Sequence, residues 1–404
     1  MSRRRWYLRL IIRLAAAGLL GLVMLSLALW IRHGRPVTLP APTGPFAVGR
    51  IDYRWVDVAR HETLGPDKAT QRELMTSVWY PATPVSGTTA APYLPQRWWS
   101  ARERAYGLEI FLTQDLSVVH DHAVADAPLA SARPTYPVVL LLLGLGPIVA
   151  DYTTLAEDLA SHGYIVAGLT PTYSANLVVF PDGREAQATA AGNPPDGPPE
   201  ETRRALDRLI ATWAADASFG LDKLTALNLD DATGRFTGRL DLGAAGIIGH
   251  SFGGATAAAA CATDPRFRVG IDLDGYPYGT AAQSGLAQPF LFLWSEPPDT
   301  GDGDWQRALR EATAITATRP DSDRQLTITG TRHFNFSDYA LLYTPVVRRT
   351  GGLGSIDGHR GLAITATYVE AFLGRYLAGD PTALFDGPAP DYPEVRFGDG
   401  TPQR

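Results

Sequence analysis

The sequence predicts an α/β protein with a mostly parallel central sheet flanked by helices. Three observations support this class. Short, continuous apolar runs recur along the chain, segments with helical periodicity lie between them, and a hydrophobic content of 45% over 404 residues is enough for a substantial core. Together they indicate a large folded domain rather than a disordered or disulfide-stapled chain.

The apolar runs are the predicted strands. Strands that are buried on both faces read as continuous apolar segments, as they do in parallel sheets. The runs occupy residues 136–144, 164–170, 244–250, 269–275, 289–294 and 325–330. Two earlier segments, 49–60 and 73–82, alternate between apolar and polar residues and predict a half-buried antiparallel pair.

Helical patterns fill most of the connections between these strands. They occupy residues 151–163, 201–217, 252–264 and 361–379. Strands that alternate with helices in this way predict a parallel sheet covered on both faces. The stretches 84–135 and 174–199 show neither pattern, and long connections of this kind either build a substrate pocket or only cover the surface.

The N-terminus carries a candidate membrane anchor. Residues 14–31 contain no charge, five arginines precede them and two follow. Eighteen apolar residues are nearly long enough to cross a bilayer, and the excess of arginine on the N-terminal side predicts an N-terminus inside and a body outside the cytoplasm. A cleaved signal peptide, which would release the body as a secreted protein, is the alternative, but residues 27–34 (LALWIRHG) offer no small-x-small cleavage site.

The chain is therefore predicted to have four parts. A basic segment with a transmembrane signal anchor (1–35) is followed by a proline-rich linker (36–50), a catalytic domain (51–380) and a C-terminal tail (381–404). The formal net charge is −6, and beyond residue 35 it is near −13, with 29 basic against 42 acidic residues. A body this acidic is a poor partner for phosphate backbones, so we predict no nucleic-acid binding.

A serine lies between a predicted strand and a predicted helix. Gly249-His250-Ser251-Phe252-Gly253 fits the Gly-x-Ser-x-Gly pattern of the nucleophile elbow of α/β-hydrolases. A sharp turn strains the backbone at the serine, and glycine is needed on either side because a side chain there would meet the neighbouring strand and helix. The pattern predicts Ser251 as a nucleophile and the amide of Phe252 as a donor to an oxyanion.

The predicted base must follow Ser251, because the chain order in this fold is serine, acid, histidine. Two histidines do so. His333 comes three residues after the predicted strand 325–330, whereas His359 lies near the start of the last predicted helix. We therefore predict His333 as the base.

The predicted acid is Asp274, at the end of the strand that follows the nucleophile helix. Asp272 lies on the same face but deeper in the strand, and Glu296 follows the next strand, so both stay open as alternatives. The amide of Leu145, between Gly144 and Gly146 after an earlier strand, is the candidate second oxyanion donor.

Several motifs together resemble a known family. GHSFGGAT, LDGYPY, TGTRHFNFSDY, LLGLGP followed by DLASHGYIVAG, and RELMTSVWYPA are similar to segments of platelet-activating factor acetylhydrolases of the plasma, lipoprotein-associated phospholipase A2 type, and of their bacterial relatives. The resemblance extends from about residue 43 to residue 375. It implies a calcium-independent serine esterase that removes short or oxidised acyl groups from glycerophospholipids, with no cofactor.

In that family the acid, base and oxyanion amides correspond to Asp274, His333, Leu145 and Phe252. The family usually has a histidine where this chain has Leu143, which leaves the acyl preference open. A general carboxylesterase, a dienelactone-hydrolase-like enzyme and a polyester-cleaving hydrolase are the alternatives within the same chemistry.

Four aromatic residues are candidates for the lining of an acyl pocket. Trp98, Trp99, Tyr276 and Phe334 either line such a pocket or belong to the ordinary core. The single cysteine, Cys261, excludes an intrachain disulfide and is expected to be an inert buried thiol.

Two hypotheses of other classes remain. A metal-dependent hydrolase could use His120, Asp121 and His122, but no further ligand lies near them in the sequence, so we predict no metal site. A membrane-anchored protein that binds a ligand without turnover is disfavoured because all three predicted catalytic residues are intact.

Overall fold

The computed structural model describes residues 3–84, 87, 90–107, 113–195, 197–279, 281, 285–297, 303–317, 319, 324–343 and 351–398. Within these residues a ten-stranded sheet forms the centre of the molecule. Its strands in chain order are β1 (Ala47–His61), β2 (Gln71–Ala82), β3 (Val124–Ala125), β4 (Tyr136–Leu142), β5 (Ile165–Pro171), β6 (Leu240–His250), β7 (Phe267–Leu273), β8 (Phe290–Trp294), β9 (Arg324–Ile328) and β10 (Val395–Phe397).

The strand order across the sheet is β10-β9-β8-β7-β6-β4-β5-β2-β1-β3. The six strands from β5 to β9 in this order are mutually parallel. Antiparallel strands flank them, with β2 against β5, β1 against β2 and β10 against β9. The carboxyl ends of β4, β6, β7, β8 and β9 therefore meet at one edge of the sheet, which is where ligands bind in folds of this type.

Helices cover both faces of the sheet. The described helices are α1 (Arg3–His33), α2 (Gln96–Tyr106), α3 (Thr153–Ser161), α4 (Pro199–Leu229), α5 (Phe252–Thr263), α6 (Gly303–Thr316), the single turn α7 (Tyr339–Leu342) and α8 (Gly358–Leu373), which continues into a π-helical turn at Gly374–Ala378. Helices α4, α5 and α6 pack on one face, around Trp213 and Trp305. Helices α3 and α8 pack on the other, around Leu155 and Tyr368.

Short elements complete the fold. Val37–Thr38 pairs in parallel with Val119–His120, and Leu177–Val179 pairs antiparallel with Glu185–Gln187. Single 3₁₀ turns occur at Leu116–Val118, Val149–Tyr152 and His333–Phe336.

The structure extends some predicted elements. Helix α4 has 31 residues, about twice the predicted length. Gly220, inside this helix, does not end it, because the glycine packs closely against Leu169 and Leu140, and a Cβ atom there would lie 3.1 Å from Leu169. Helix α8 begins at Gly358, earlier than predicted, because the Asp357 side chain accepts a hydrogen bond from the amide of Arg360 and caps the first turn.

The N-terminal helix is long and apolar enough to cross a membrane over Trp6–His33, and none of its apolar window is buried against the rest of the chain. Its last turn is tied to the body through Gln114. The Gln114 amide accepts from Arg32 Nη1 at 2.6 Å and donates to the carbonyl of His33 at 2.7 Å, and the amide of Asp115 donates to the same carbonyl at 2.9 Å.

The chain after this helix also contacts the body. Leu39 is buried, and Thr43 donates from its amide and its hydroxyl to Asp158 of α3. The proposed division into anchor, linker, catalytic domain and tail stays a prediction, and the ends of its first and last parts, residues 1–2 and 399–404, lie outside the described residues. Cys261 is buried within α5, and burial raises the pKa of its thiol.

Candidate active site

Ser251 occupies a sharp turn between β6 and α5. Its backbone adopts φ 58° and ψ −125°, a conformation that L-residues rarely adopt. The amide of Ser251 donates to the carbonyl of Leu273 on the neighbouring strand at 2.8 Å, which holds the turn against the sheet. The hydroxyl therefore projects from the carboxyl edge of the sheet rather than into a core.

The glycines around Ser251 are required by close backbone contacts. A Cβ atom at Gly249 would lie 2.0 Å from the backbone of Gly253, and one at Gly253 would lie 2.3 Å from the carbonyl oxygen of Leu143. Two further glycines meet the same constraint. A Cβ atom at Gly254 would lie 1.9 Å from Asp272, and one at Gly275 would lie 2.2 Å from the carbonyl oxygen of Ser251.

His333 lies between Ser251 and Asp274. Its Nε2 atom is 2.9 Å from Ser251 Oγ, and its Nδ1 atom is 2.7 Å from Asp274 Oδ2. The carboxylate can only accept, so Nδ1 carries the proton that it shares with Asp274, and Nε2 accepts from the serine hydroxyl. The structure thus brings together three residues that are separated by 82 and 59 positions in the chain.

Asp274 is held in its charged form. Burial opposes ionisation of this carboxyl, but the hydrogen bond from His333, the favourable electrostatic interaction with that ring and the amide of Ser295 outweigh it and lower the pKa below its usual range. The Ser295 amide donates to Oδ1 at 2.8 Å and so fixes the carboxylate. Like Ser251, Asp274 has a positive φ, of 57°. Two strained residues of this kind at one site are typical of functional centres.

The predicted oxyanion donors are the backbone amides of Leu145 and Phe252. Both residues line the same cleft as the serine. Within the part of the chain that the structure describes, neither amide donates a hydrogen bond to another residue. Phe252 begins α5, so the positive end of the helix dipole adds to its amide. Two free N–H groups next to a hydroxyl can bind a negatively charged oxygen.

The competing residues are placed elsewhere. Glu296 lines the cleft, but its carboxylate accepts from the amide of Gly330 at 3.1 Å and makes no hydrogen bond to His333. Asp272 lies beneath the elbow, where its Oδ1 atom accepts from the amide of Gly275 at 2.7 Å. Burial and the nearby charge of Asp274 raise the pKa of Asp272 well above its usual value. His359 is exposed in the first turn of α8.

Behind the site lies a buried polar chain that the sequence did not reveal. The ring of His250 is 2.8 Å from the hydroxyl of Tyr152 through Nδ1 and 2.8 Å from the carbonyl oxygen of His333 through Nε2. The Tyr152 hydroxyl in turn accepts from the amide of Gly144 at 3.2 Å. We refer to Gly144, Tyr152, His250 and the carbonyl of His333 as the buried relay.

A second set of hydrogen bonds joins the segment after β4 to the segment after β9. Asp151 accepts from the amide of Ile148 at 2.9 Å and from the hydroxyl of Tyr339 at 2.8 Å. The carbonyl of Asp151 accepts from the amide of Asp338 at 2.8 Å. Sequence spacing gives no signal for either bridge, because the partners are far apart in the chain.

The cleft above Ser251 has a volume of about 430 Å³. One wall is apolar and largely aromatic and consists of Leu145, Leu206, Phe252, Tyr276, Tyr278 and Trp305. The lining also includes the polar residues Ser295, Glu296 and Arg332. The size suits a small acyl group or a drug-sized ligand.

Of the four aromatic residues considered for an acyl pocket, Tyr276 lines the cleft. Trp98 is buried among Leu94, Ile148 and their neighbours, outside the cleft. Trp99 is half-buried on α2. Phe334 packs its ring on that of His333, with 5.3 Å between centroids, behind the imidazole.

The residues considered for a metal do not gather into a ligand set. Among the described residues no group of three or more His, Cys, Asp or Glu side chains is arranged to hold a metal. His120 is exposed, Asp121 pairs with Arg50 at 3.2 Å, and the ring of His122 faces Glu157.

A strained serine at a strand-to-helix turn, with an imidazole and a carboxylate delivered by later strands of a mostly parallel sheet, is the arrangement of α/β-hydrolases that cleave esters. Comparison with known proteins agrees with this class. The model of the family "Platelet-activating factor acetylhydrolase, isoform II" matches residues 33–177 and 200–382, and the chain belongs to this family.

Individual relatives are ester hydrolases by name. The platelet-activating factor acetylhydrolase of Cavia porcellus is 26% identical over 365 residues, which cover 85% of this chain and 79% of the relative. A probable 1-alkyl-2-acetylglycerophosphocholine esterase of Arthroderma benhamiae is 26% identical over 397 residues, with coverage of 89% and 93%. The solved structure of a ferulic acid esterase from Streptomyces cinnamoneus superposes with a TM-score of 0.75 at 30% identity and covers 90% of this chain and 99% of that one.

These findings confirm the predicted fold and family. The chain is a carboxylic ester hydrolase of the serine type with the α/β-hydrolase fold.

Proposed function

We propose that the chain hydrolyses carboxylic esters through an acyl-enzyme on Ser251, with His333 as general base and Asp274 as the residue that orients and charges the imidazole. The observation that carries this proposal is the pair of hydrogen bonds from one ring, 2.9 Å to the serine and 2.7 Å to the carboxylate. A base within hydrogen-bond reach of the nucleophile, itself oriented by a third group, is what nucleophilic catalysis needs.

The reaction follows from this geometry. Ser251 Oγ attacks the ester carbonyl as its proton moves to Nε2 of His333, and the amides of Leu145 and Phe252 receive the oxyanion. The imidazolium then gives the proton to the leaving alkoxide, which departs and leaves the acyl group on Ser251. Water, deprotonated by the same imidazole, releases the acid.

The proposed substrates are glycerophospholipids with a short or oxidised acyl group. Membership of the acetylhydrolase family and the names of the two curated relatives support this class. The cleft volume of about 430 Å³ supports a short acyl chain rather than a long one.

A second candidate substrate class is esters of aromatic acids. Four of the six residues of the apolar wall are aromatic. The solved structure that superposes on this chain is named as an esterase of ferulic acid, which is an aromatic acid. Tyr276 and Trp305 lie with ring centroids 6.3 Å apart, a spacing at which aromatic rings interact.

The proposed location is the outer side of a membrane, with α1 as an uncleaved anchor. The support is the 28-residue apolar span and the arginines that precede its core. Secretion after cleavage of this segment is the alternative. Protease protection in spheroplasts, with and without permeabilisation, distinguishes the two sides of the membrane.

The test of the activity combines labelling with a substrate series. A fluorophosphonate probe should label one serine, mapped by peptide sequencing to Ser251, and Ser251→Ala should lose both the label and the hydrolysis of p-nitrophenyl acetate. Activity that persisted in Ser251→Ala at the parent rate would overturn the proposal. Initial rates on sn-2 acetyl, sn-2 palmitoyl and feruloyl esters then rank the two substrate classes, and equal rates on all three would contradict both.

A further inference from the structure

The buried relay has only one consistent arrangement of protons. The carbonyl oxygen of His333 can only accept, so Nε2 of His250, 2.8 Å away, carries a proton and donates it. The amide of Gly144 can only donate, so the Tyr152 oxygen accepts from it. The Tyr152 hydroxyl is then left to donate to Nδ1 of His250. Each of these hydrogen bonds therefore has one possible direction, and His250 is neutral with its proton on Nε2.

The surroundings of His250 support this neutral state. The side chains of Tyr152 and His250 are both about 1% exposed, and the titratable groups that act on His250 are His333, Asp274 and its relay partner Tyr152. Burial, reinforced by the nearby imidazole of His333, lowers the pKa of His250 to about 3. A proton on Nδ1 would also leave the Tyr152 hydroxyl with two donors and no acceptor.

The relay connects the three segments that the reaction needs. Gly144 precedes Leu145, whose amide is the proposed second oxyanion donor, and His250 precedes Ser251. At the other end, His333 supplies the base. The relay reaches this base through its backbone carbonyl, so it fixes the main chain from which the imidazole projects. A Cβ atom at Gly144 would lie 3.3 Å from Cβ of Ser251, which shows how close these segments are.

We infer that Tyr152 and His250 are positioning residues, which set the distance between the Leu145 amide and the His333 imidazole around Ser251. This inference rests on the proposed function and deepens it. Neither side chain lines the cleft, so we expect both to act on the rate of the chemical steps rather than on substrate binding. A small misplacement of reacting groups lowers turnover by up to about 100-fold, so a loss of about 10- to 100-fold is expected when the relay is cut.

The test uses the full chain in detergent and measures kcat per active site. Fluorophosphonate titration counts the reactive serines, so that kcat is divided by sites and not by total protein. Tyr152→Phe removes only the hydroxyl, and Tyr368→Phe is the matched control, because Tyr368 is also a buried tyrosine but its hydroxyl has no partner among the described residues. We expect kcat per site to fall about 10- to 100-fold in Tyr152→Phe with KM changed less than about 3-fold, and to stay unchanged in Tyr368→Phe.

A second variant tests whether the relay acts as one unit. His250→Leu removes both ring nitrogens, so it breaks the bond to the His333 carbonyl and also the link to Tyr152. Because both substitutions cut the same link, the double variant should lose no more than the larger single loss. Losses that multiply, or a Tyr152→Phe enzyme with the parent kcat per site, would overturn the inference. A fall in the number of labelled sites at constant kcat per site would also overturn the inference, because that is the result expected if Tyr152 and His250 only stabilise the fold.

A measurement on the unsubstituted chain covers the case in which a variant does not fold. The ¹⁵N shifts of the His250 ring should report the neutral Nε2–H tautomer from pH 5 to 9, and either the other tautomer or a charged ring would overturn the inference. The proposed function fails separately. If Ser251 is labelled and Tyr152→Phe turns over normally, only the positioning role is wrong, whereas turnover in Ser251→Ala removes both.

Discussion

Single residues at the site are distinguished by their partners rather than by their type. The carboxylates of Asp272, Asp274 and Glu296 lie at or just after the ends of β7 and β8, but only Asp274 forms a hydrogen bond with the His333 ring. Asp272 points beneath the elbow, and Glu296 is bound to a backbone amide. Chain order and the position at the end of a strand favoured Asp274 as the acid. The sequence could not decide between the three carboxylates, because it does not show in which direction a side chain projects from its strand.

The assignment of the acid predicts unequal effects of two isosteric changes. Asp274→Asn should lower kcat by about 10³- to 10⁴-fold, because the amide no longer stabilises the imidazolium or fixes its tautomer. Glu296→Gln, the matched change in the same cleft, should stay within about 3-fold of the parent. Steady-state kinetics on p-nitrophenyl acetate measures both.

The reverse result, a severe loss in Glu296→Gln and a mild one in Asp274→Asn, would move the acid to residue 296. Thermal unfolding of both variants serves as the control for folding.

At the scale of elements, the turn between β6 and α5 depends on backbone packing. Gly249 and Gly253 face each other across this turn, and neither has room for a side chain. The Gly-x-Ser-x-Gly pattern can be recognised in the sequence, and the contact of Gly249 with the backbone of Gly253 is local, whereas the contact of Gly253 with Leu143 is not. The roles of Gly254 and Gly275 could not be predicted, since they depend on contacts with Asp272 and with the carbonyl of Ser251.

Alanine at Gly249 is expected to destabilise the protein. Its Cβ atom would lie 2.0 Å from the backbone of Gly253, and neither backbone can move without shifting β6 or α5. Overpacking of this kind costs about 1–3 kcal/mol of the free energy of unfolding or more. Gly303→Ala, where no atom lies within 4 Å, is the control and should be neutral. Urea unfolding measures both, and equal midpoints would contradict the steric argument.

The loop 121–123 and helix α3 share a buried acidic pair. The Asp121 side chain is fully buried, and Glu157 of α3 accepts from the amides of His122 and Ala123. Burial, helped by the charge of Glu157 and opposed by Arg50, raises the pKa of Asp121 to about 7.

This shift predicts a pH dependence of stability. The folded chain holds the Asp121 proton more tightly than the unfolded chain, so the contribution is fully present below about pH 4 and is lost as the pH rises through about 7. Relative to Asp121→Asn, the free energy of unfolding of the parent should fall over this range, by at most about 1.4 kcal/mol per pH unit. Denaturation curves at half-unit intervals test it, and parallel pH profiles of the two proteins would contradict it.

The elements that the sequence predicted best are the parallel strands. Their two buried faces require continuous apolar residues, and β4 to β9 lie within or overlap the predicted runs. Strands β3 and β10 have two and three residues, too few for any periodicity, and were not predicted. The buried relay was also missed, because its contacts join residues 98 and 83 positions apart.

At the scale of the whole molecule, the apolar helix α1 is not joined to the body by a free tether. Gln114 is 1% exposed, and its side chain accepts from Arg32 and donates to the carbonyl of His33 in the last turn of α1. Six residues after His33, the amide of Leu39 donates to the carbonyl of His120. These contacts hold the last turn of α1 against the body.

Loss of this contact should matter only for substrates in a membrane. Gln114→Ala removes the side-chain hydrogen bonds to the last turn of α1 and leaves the one from the Asp115 amide. The cleft should then sample a wider range of orientations, and hydrolysis of an acetyl phospholipid in reconstituted vesicles should fall by about 3-fold or more. Hydrolysis of soluble p-nitrophenyl acetate should be unchanged, as should both activities in Gln187→Ala, an exposed glutamine. Equal losses on the two substrates would contradict the prediction.

The anchoring that we propose for α1 also changes which quantity limits the rate of the enzyme. With the body held at the bilayer in the way we propose, encounters occur by lateral diffusion within one leaflet, and the velocity follows the mole fraction of ester in that leaflet instead of its bulk concentration. Dilution of the vesicles would then leave the rate per enzyme unaltered, while dilution of the ester with inert lipid would lower it.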